Sequence, residues 1–221
     1  MPQTLEALEF VTGPEPTASI IVLHGLGADG NDFVPVAQML DLGVPVRFIF
    51  PHAPQMPVTI NNGHVMRAWY DILGTDLARR EDEAGLRRSQ AAIEALIARE
   101  VERGIPAERI VLMGFSQGCA MTLLTGLRQK QRLAALVGLS GYLPLPDSTA
   151  AEHSAENQHT PIFMAHGQDD PVVPIARAQA SRDLLRSLGY TVDWHEYPMP
   201  HSVCPEEIGD MAVFLRHVIT L

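Results

Sequence analysis

Residues 110–127 run for eighteen positions without a charge, yet they include three glycines, Ser116, Gln117 and two threonines. A membrane-spanning helix is possible by length but not by content, because the stretch divides into halves of different period. Ile110, Val111, Leu112 and Met113 form a continuous apolar run of strand formers. Cys119, Ala120, Leu123, Leu124 and Leu127 recur at helical spacing. Between them lies Gly114-Phe115-Ser116-Gln117-Gly118. The chain must pass from a buried strand to a buried helix within these five residues, and only glycines at 114 and 118 leave room for so sharp a turn. Such a turn forces its serine into a strained backbone region and exposes the hydroxyl. Ser116 is therefore the candidate nucleophile. Gln117 opens the helix, where the first amides lack intrahelical acceptors, so its backbone N–H is a candidate donor to a developing oxyanion.

The same alternation of strand and helix continues along the chain. Apolar runs at residues 19–23, 46–50, 133–139, 161–165 and 191–197 read as strands. A helix over 82–103 buries Leu86, Ile93, Leu96, Ile97 and Val101, and another opens at Pro205 with Glu206 and Glu207 in its first turn. A short helix is expected after Asn31 or Asp32, either of which can cap it. This rhythm predicts an α/β fold with a mostly parallel central sheet and helices on both faces, built as a single domain over residues 1–221. Residues 51–80 and 141–160 read as long irregular stretches beside the site.

A net charge of -10 without a basic cluster argues against nucleic acid or an anionic membrane surface as a partner. The N-terminus carries acidic residues where a secretory signal would be positive, and no transmembrane segment is expected, which predicts a cytoplasmic protein. Cys119 and Cys204 are too few for a disulfide framework, so both are expected to be free, buried thiols. No H-E-x-x-H or paired-cysteine motif is present, and no metal or cofactor is expected.

Gly25-Leu26-Gly27-Ala28-Asp29-Gly30 fits the dinucleotide fingerprint, but the tip of the next strand, Phe50-Pro51-His52-Ala53-Pro54, has no carboxylate to bind a ribose. The other role for such a loop is to turn a backbone amide toward a reacting carbonyl, and Leu26 is the candidate. Asp169 and Asp170 sit in a strand-end loop, and either could orient a histidine. His201 follows the last strand; His166 competes with it as the base. In enzymes with a serine elbow the acid follows the serine and the histidine comes last, which favours His201. In the stretch 51–80, Trp69-Tyr70-Asp71 with Met56, Val58, Met66 and Leu73 offers an apolar wall for an acyl chain, the alternative being simple packing.

These segments, with Leu139-Ser140-Gly141-Tyr142-Leu143-Pro144, His166-Gly167 through Pro174 and His201-Ser202-Val203, resemble the carboxylesterase and acyl-protein thioesterase family of α/β-hydrolases over nearly the whole chain. The resemblance implies Ser116 as nucleophile, Asp170 rather than Asp169 and His201 as its partners, and the amides of Leu26 and Gln117 as the oxyanion hole. Trp69, Met66 and Leu73 of the apolar wall are expected at the substrate; the resemblance implies an ester or acyl thioester of small-molecule size and no cofactor, and a homodimer is compatible with it. The expected activity is that of a serine carboxylesterase on short to medium acyl chains. The alternatives are an acyl-protein thioesterase or lysophospholipase acting on longer chains, or a silent binding protein of the same fold. Cys119 stands where the family often has glycine or another small residue, and a thiol there is expected to narrow the pocket floor.

Overall fold

The computed structural model describes residues 5–74 and 81–220. The first four residues of the acidic N-terminus and the end of the 51–80 stretch lie outside the described residues. A seven-stranded sheet runs in the order β1 (Ala7–Val11), β3 (Val46–Pro51), β2 (Ala18–Leu23), β6 (Ile110–Phe115), β7 (Ala135–Leu139), β8 (Ile162–Gly167), β9 (Val192–Tyr197). Every neighbouring pair is parallel except β1 with β3. Strand β2 is buried at all six positions, as a central parallel strand covered on both faces should be.

Alternate strand residues feed two separate cores. Ile21, Leu23, Ile110 and Leu112 pack with α2 (Glu83–Glu102), α3 (Gln117–Arg128) and α5 (Ile175–Ser187). Ile20, Val22, Val111 and Met113 pack on the opposite face with α1 (Val34–Met39) and α6 (Pro205–Thr220). Helix α4 (Pro146–Glu152) lies within the 141–160 stretch that had read as irregular. The 51–80 stretch likewise contains a hairpin, β4 (Gln55–Val58) paired with β5 (His64–Arg67).

Helix α2 begins as the sequence suggests, with the Asp82 carboxylate accepting from Gly85 N–H. Helix α1 does not: its N-cap is Phe33, with no side-chain cap bond, while Asp29 accepts from the Asn31 amide in the preceding turn. Cys119 is buried as expected, but Cys204 is only half-buried.

Glu207 departs further from its sequence reading. It is wholly buried in the first turn of α6, and neither carboxyl oxygen has a partner among the described residues. Burial pushes its carboxyl up to about 8. An acid raised in this way costs nothing below its unfolded value of 4.5, and its penalty grows as pH rises toward about 8. Glu207→Gln is therefore expected to stabilise the protein on the order of 2–4 kcal/mol at the alkaline end of that window and hardly at all at its acid end. Urea midpoints at the two ends check this; equal gains would remove burial of the charge as the cause.

Candidate active site

The chain runs from β2 outward to β3 and then returns to β6 on the other side of β2. Loops leaving β2 and β6 therefore diverge at a switch point, where a crevice opens at the carboxyl ends of the strands. Residues 24–30 and Ser116 stand at this crevice.

Ser116 links β6 to α3 with φ 55 and ψ -115, a conformation that L-residues rarely adopt. The flanking glycines are sterically required. A Cβ at Gly118 would strike the Leu23 carbonyl, and one at Gly114 would strike the Gly118 carbonyl. Helix and strand approach too closely there for any side chain.

Ser116 Oγ lies 3.0 Å from His201 Nε2, and His201 Nδ1 lies 2.6 Å from Asp170 Oδ2. A carboxylate accepts, so Nδ1 carries the ring proton and Nε2 is left with a lone pair facing the hydroxyl. The His201 ring is braced by Phe115, with centroids 4.8 Å apart. Asp170 is buried; its Oδ1 accepts the amides of Val172 at 2.8 Å and Val173 at 2.9 Å. Asp169 is exposed, and its carboxylate has no bond to His201. His166 stands behind Asp170, not beside Ser116, with Nε2 3.3 Å from Asp170 Oδ2.

Gly25 lies against the elbow: a Cβ there would meet the Ser116 Cβ at 3.4 Å. Among the described residues, neither the Leu26 nor the Gln117 amide meets an acceptor in the protein. The loop carrying Leu26 is held by its neighbours. The His24 ring accepts from Ala53 N–H at 3.0 Å through Nε2, so its Nδ1 donates to the Gly25 carbonyl at 2.7 Å. Burial pushes the His24 pKa down and favours this neutral form.

The part played by the Gln117 side chain was not foreseen. Its Oε1 accepts from Trp69 N–H at 3.0 Å and its Nε2 donates to the Tyr70 carbonyl at 2.8 Å. Trp69 Nε1 donates in turn to the His24 carbonyl at 2.9 Å. One side chain thus ties the elbow to the loop of Leu26. Gln117→Ala is expected to lose about 2–4 kcal/mol in urea unfolding, because it strands two buried backbone groups. Turnover should fall about tenfold as the two amides lose their common anchor; an unchanged rate would show that the anchor does not matter.

The residues read as an acyl wall divide. Met66 Sδ lies 3.7 Å from a Cβ placed at Gly27, next to Leu26. Leu73 is 44% exposed, at the rim of a small cleft with Tyr70, Tyr142 and Arg177. Trp69 is buried, supporting the loop from behind, and Val58 is buried too. A cavity of about 370 Å³ lined by Pro54, Met56, Trp69 and Arg88 lies on the α2 side, and neither Ser116 nor His201 borders it. Cys119 does not form a pocket floor: it is fully buried against Gly138 and Gly141, and burial pushes its thiol up to about 12. Among the described residues no cluster of His, Cys, Asp or Glu gathers as a metal site, and no helix is long and apolar enough to cross a membrane.

The family profile described as Phospholipase/Carboxylesterase matches residues 9–219. The chain belongs to the phospholipase/carboxylesterase family. Among relatives in this family, acyl-protein thioesterase 1 of Neurospora crassa is 46% identical over 90% of this chain and 86% of that protein. Acyl-protein thioesterase 1 of Gibberella zeae is 43% identical over 95% of this chain and 94% of that protein. The crystal structure of Arabidopsis thaliana SOBER1 superposes with a TM-score of 0.86 at 30% identity, covering 91% of this chain and 99% of that one. Zea mays acyl-protein thioesterase 2 gives 0.85 at 27%, covering 96% and 99%. The α/β-hydrolase fold of the phospholipase/carboxylesterase family, expected from the sequence, is the fold of this chain.

Proposed function

We propose that this chain is a serine hydrolase of one α/β domain that cleaves acyl thioesters, with carboxylic esters as further substrates. The observation that carries the reading is the hydrogen-bonded line from Ser116 through His201 to Asp170, at 3.0 and 2.6 Å. His201 Nε2 takes the Ser116 proton as Oγ attacks the acyl carbonyl carbon. The oxyanion that forms is met by the Leu26 and Gln117 amides, each worth about 100- to 1,000-fold in rate. The imidazolium returns its proton to the departing thiolate or alkoxide, leaving an acyl group on Ser116. Water, deprotonated by His201, attacks this acyl-enzyme and releases the carboxylate and the free serine.

The names of the fungal relatives, acyl-protein thioesterases, support an acyl thioester over the short to medium carboxylic ester expected from the sequence. Val172, two residues from Asp170, and Leu73, on the cleft of Tyr70 and Tyr142, present open apolar surface, which suits a chain too long for a closed pocket. Measuring kcat/KM on matched thioesters and oxygen esters from acetyl to palmitoyl tests this. Thioester rates should rise with chain length. A maximum at acetyl esters with negligible thioester cleavage would return the assignment to a short-chain carboxylesterase.

A further inference from the structure

We propose that His166 is a positioning residue, which fastens the turn that aims the Asp170 carboxylate at His201. The inference rests on the roles given above to Ser116, His201 and Asp170. His166 is the penultimate residue of β8 and is 1% exposed. Its Nε2 lies 2.8 Å from the Val173 carbonyl, which can only accept, so Nε2 carries the proton. The same Nε2 lies 3.3 Å from Asp170 Oδ2, the oxygen that receives His201. On its other side Asp170 Oδ1 holds the Val173 amide at 2.9 Å. Val173 is therefore gripped at both ends of its backbone, its N–H by Asp170 and its carbonyl by His166. Were that carbonyl to swing, the carboxylate would lose its bearing on His201.

The ring's other nitrogen separates this role from simple packing. Nδ1 is buried and has no partner among the described residues. A side chain there only to fill space would be better served by leucine, which leaves no polar atom unpaired. What histidine adds is the Nε2–H. Burial pushes the His166 pKa down, which keeps the ring a neutral donor beside Asp170.

The test compares His166→Leu, which deletes the donor, with His166→Gln, whose amide nitrogen reaches the place of Nε2. On an acyl thioester, His166→Leu should lower kcat about 10- to 100-fold with little change in KM, since it disturbs alignment and not substrate binding. His166→Gln should recover most of the loss. A leucine variant with normal kcat per folded molecule overturns the proposal, and so does a glutamine variant as slow as the leucine one. Nitrogen-15 NMR of the unmodified protein gives a check that survives a variant's failure to fold. The neutral Nε2–H tautomer is expected, and the Nδ1–H tautomer would overturn the assignment. Fluorophosphonate labelling keeps the two readings apart: no adduct on Ser116 of the unmodified protein sinks the catalytic reading, whereas normal labelling with an unaffected leucine variant sinks only the role of His166.

Discussion

Ser116→Ala is expected to lower thioester and ester turnover by about a million-fold, the scale of loss when the serine of a Ser-His-Asp protease is removed and only oxyanion and binding effects remain. The fold should survive, because alanine keeps the Cβ that the elbow already accommodates and deletes only an Oγ whose side-chain partner is His201. Circular dichroism and the urea midpoint should match the unmodified protein. Mass spectrometry after fluorophosphonate treatment should place one adduct on Ser116, and an adduct on any other residue would remove Ser116 as the nucleophile.

Asp170→Asn should cost about 10,000-fold in kcat. An amide at this position offers its NH₂ or a single carbonyl to a ring nitrogen 2.6 Å away, and the tautomer with Nδ1 protonated is no longer enforced. Two further bonds, from the Val172 and Val173 amides, depend on the same side chain. Asp169→Asn should change the rate by no more than about threefold, since surface changes away from such networks are usually near neutral. Asp169 is exposed, and what anchors it is its backbone N–H, which donates to the Met199 carbonyl at 3.2 Å. A larger loss at Asp169 than at Asp170 would remove Asp170 from the proposed line of Ser116, His201 and acid.

Legibility followed the range of the physics. The turn at Ser116 is a local matter of glycine spacing between a strand and a helix, so it could be read directly, as could the strands that feed both cores. The choice between Asp169 and Asp170 could not, because adjacent loop residues differ only in direction; family resemblance selected Asp170, and geometry places it beside His201. Strand β1 escaped because Leu8-Glu9-Phe10 at a sheet edge is half exposed and has no continuous apolar run. The β4–β5 hairpin was missed for a similar reason, with Pro57 inside one strand and charged or polar ends on the other. The bonds of the Gln117 side chain span 47 and 48 positions to Tyr70 and Trp69, a separation no local pattern encodes. Glu207 has favourable helix-start chemistry in sequence, and only the packing of α6 on the sheet reveals that its carboxyl is walled in.

The register of β2 against β6 sets Leu23 beside Gly114, so the two loops that hold Leu26 and Gln117 leave the sheet one strand apart, about 4.8 Å, from a hydrogen-bonded ladder. The hairpin bearing Met66 joins that base through few bonds, among them Gly27 N–H to the Arg67 carbonyl and Arg67 to the Ala53 carbonyl. On the proposed function, the groups that stabilise the oxyanion are thus spaced by the central sheet itself, while Met66 reaches them from a separate two-stranded sheet. A change confined to the hairpin would therefore leave the Leu23–Gly114 register, and with it the spacing of the Leu26 and Gln117 loops, where it is.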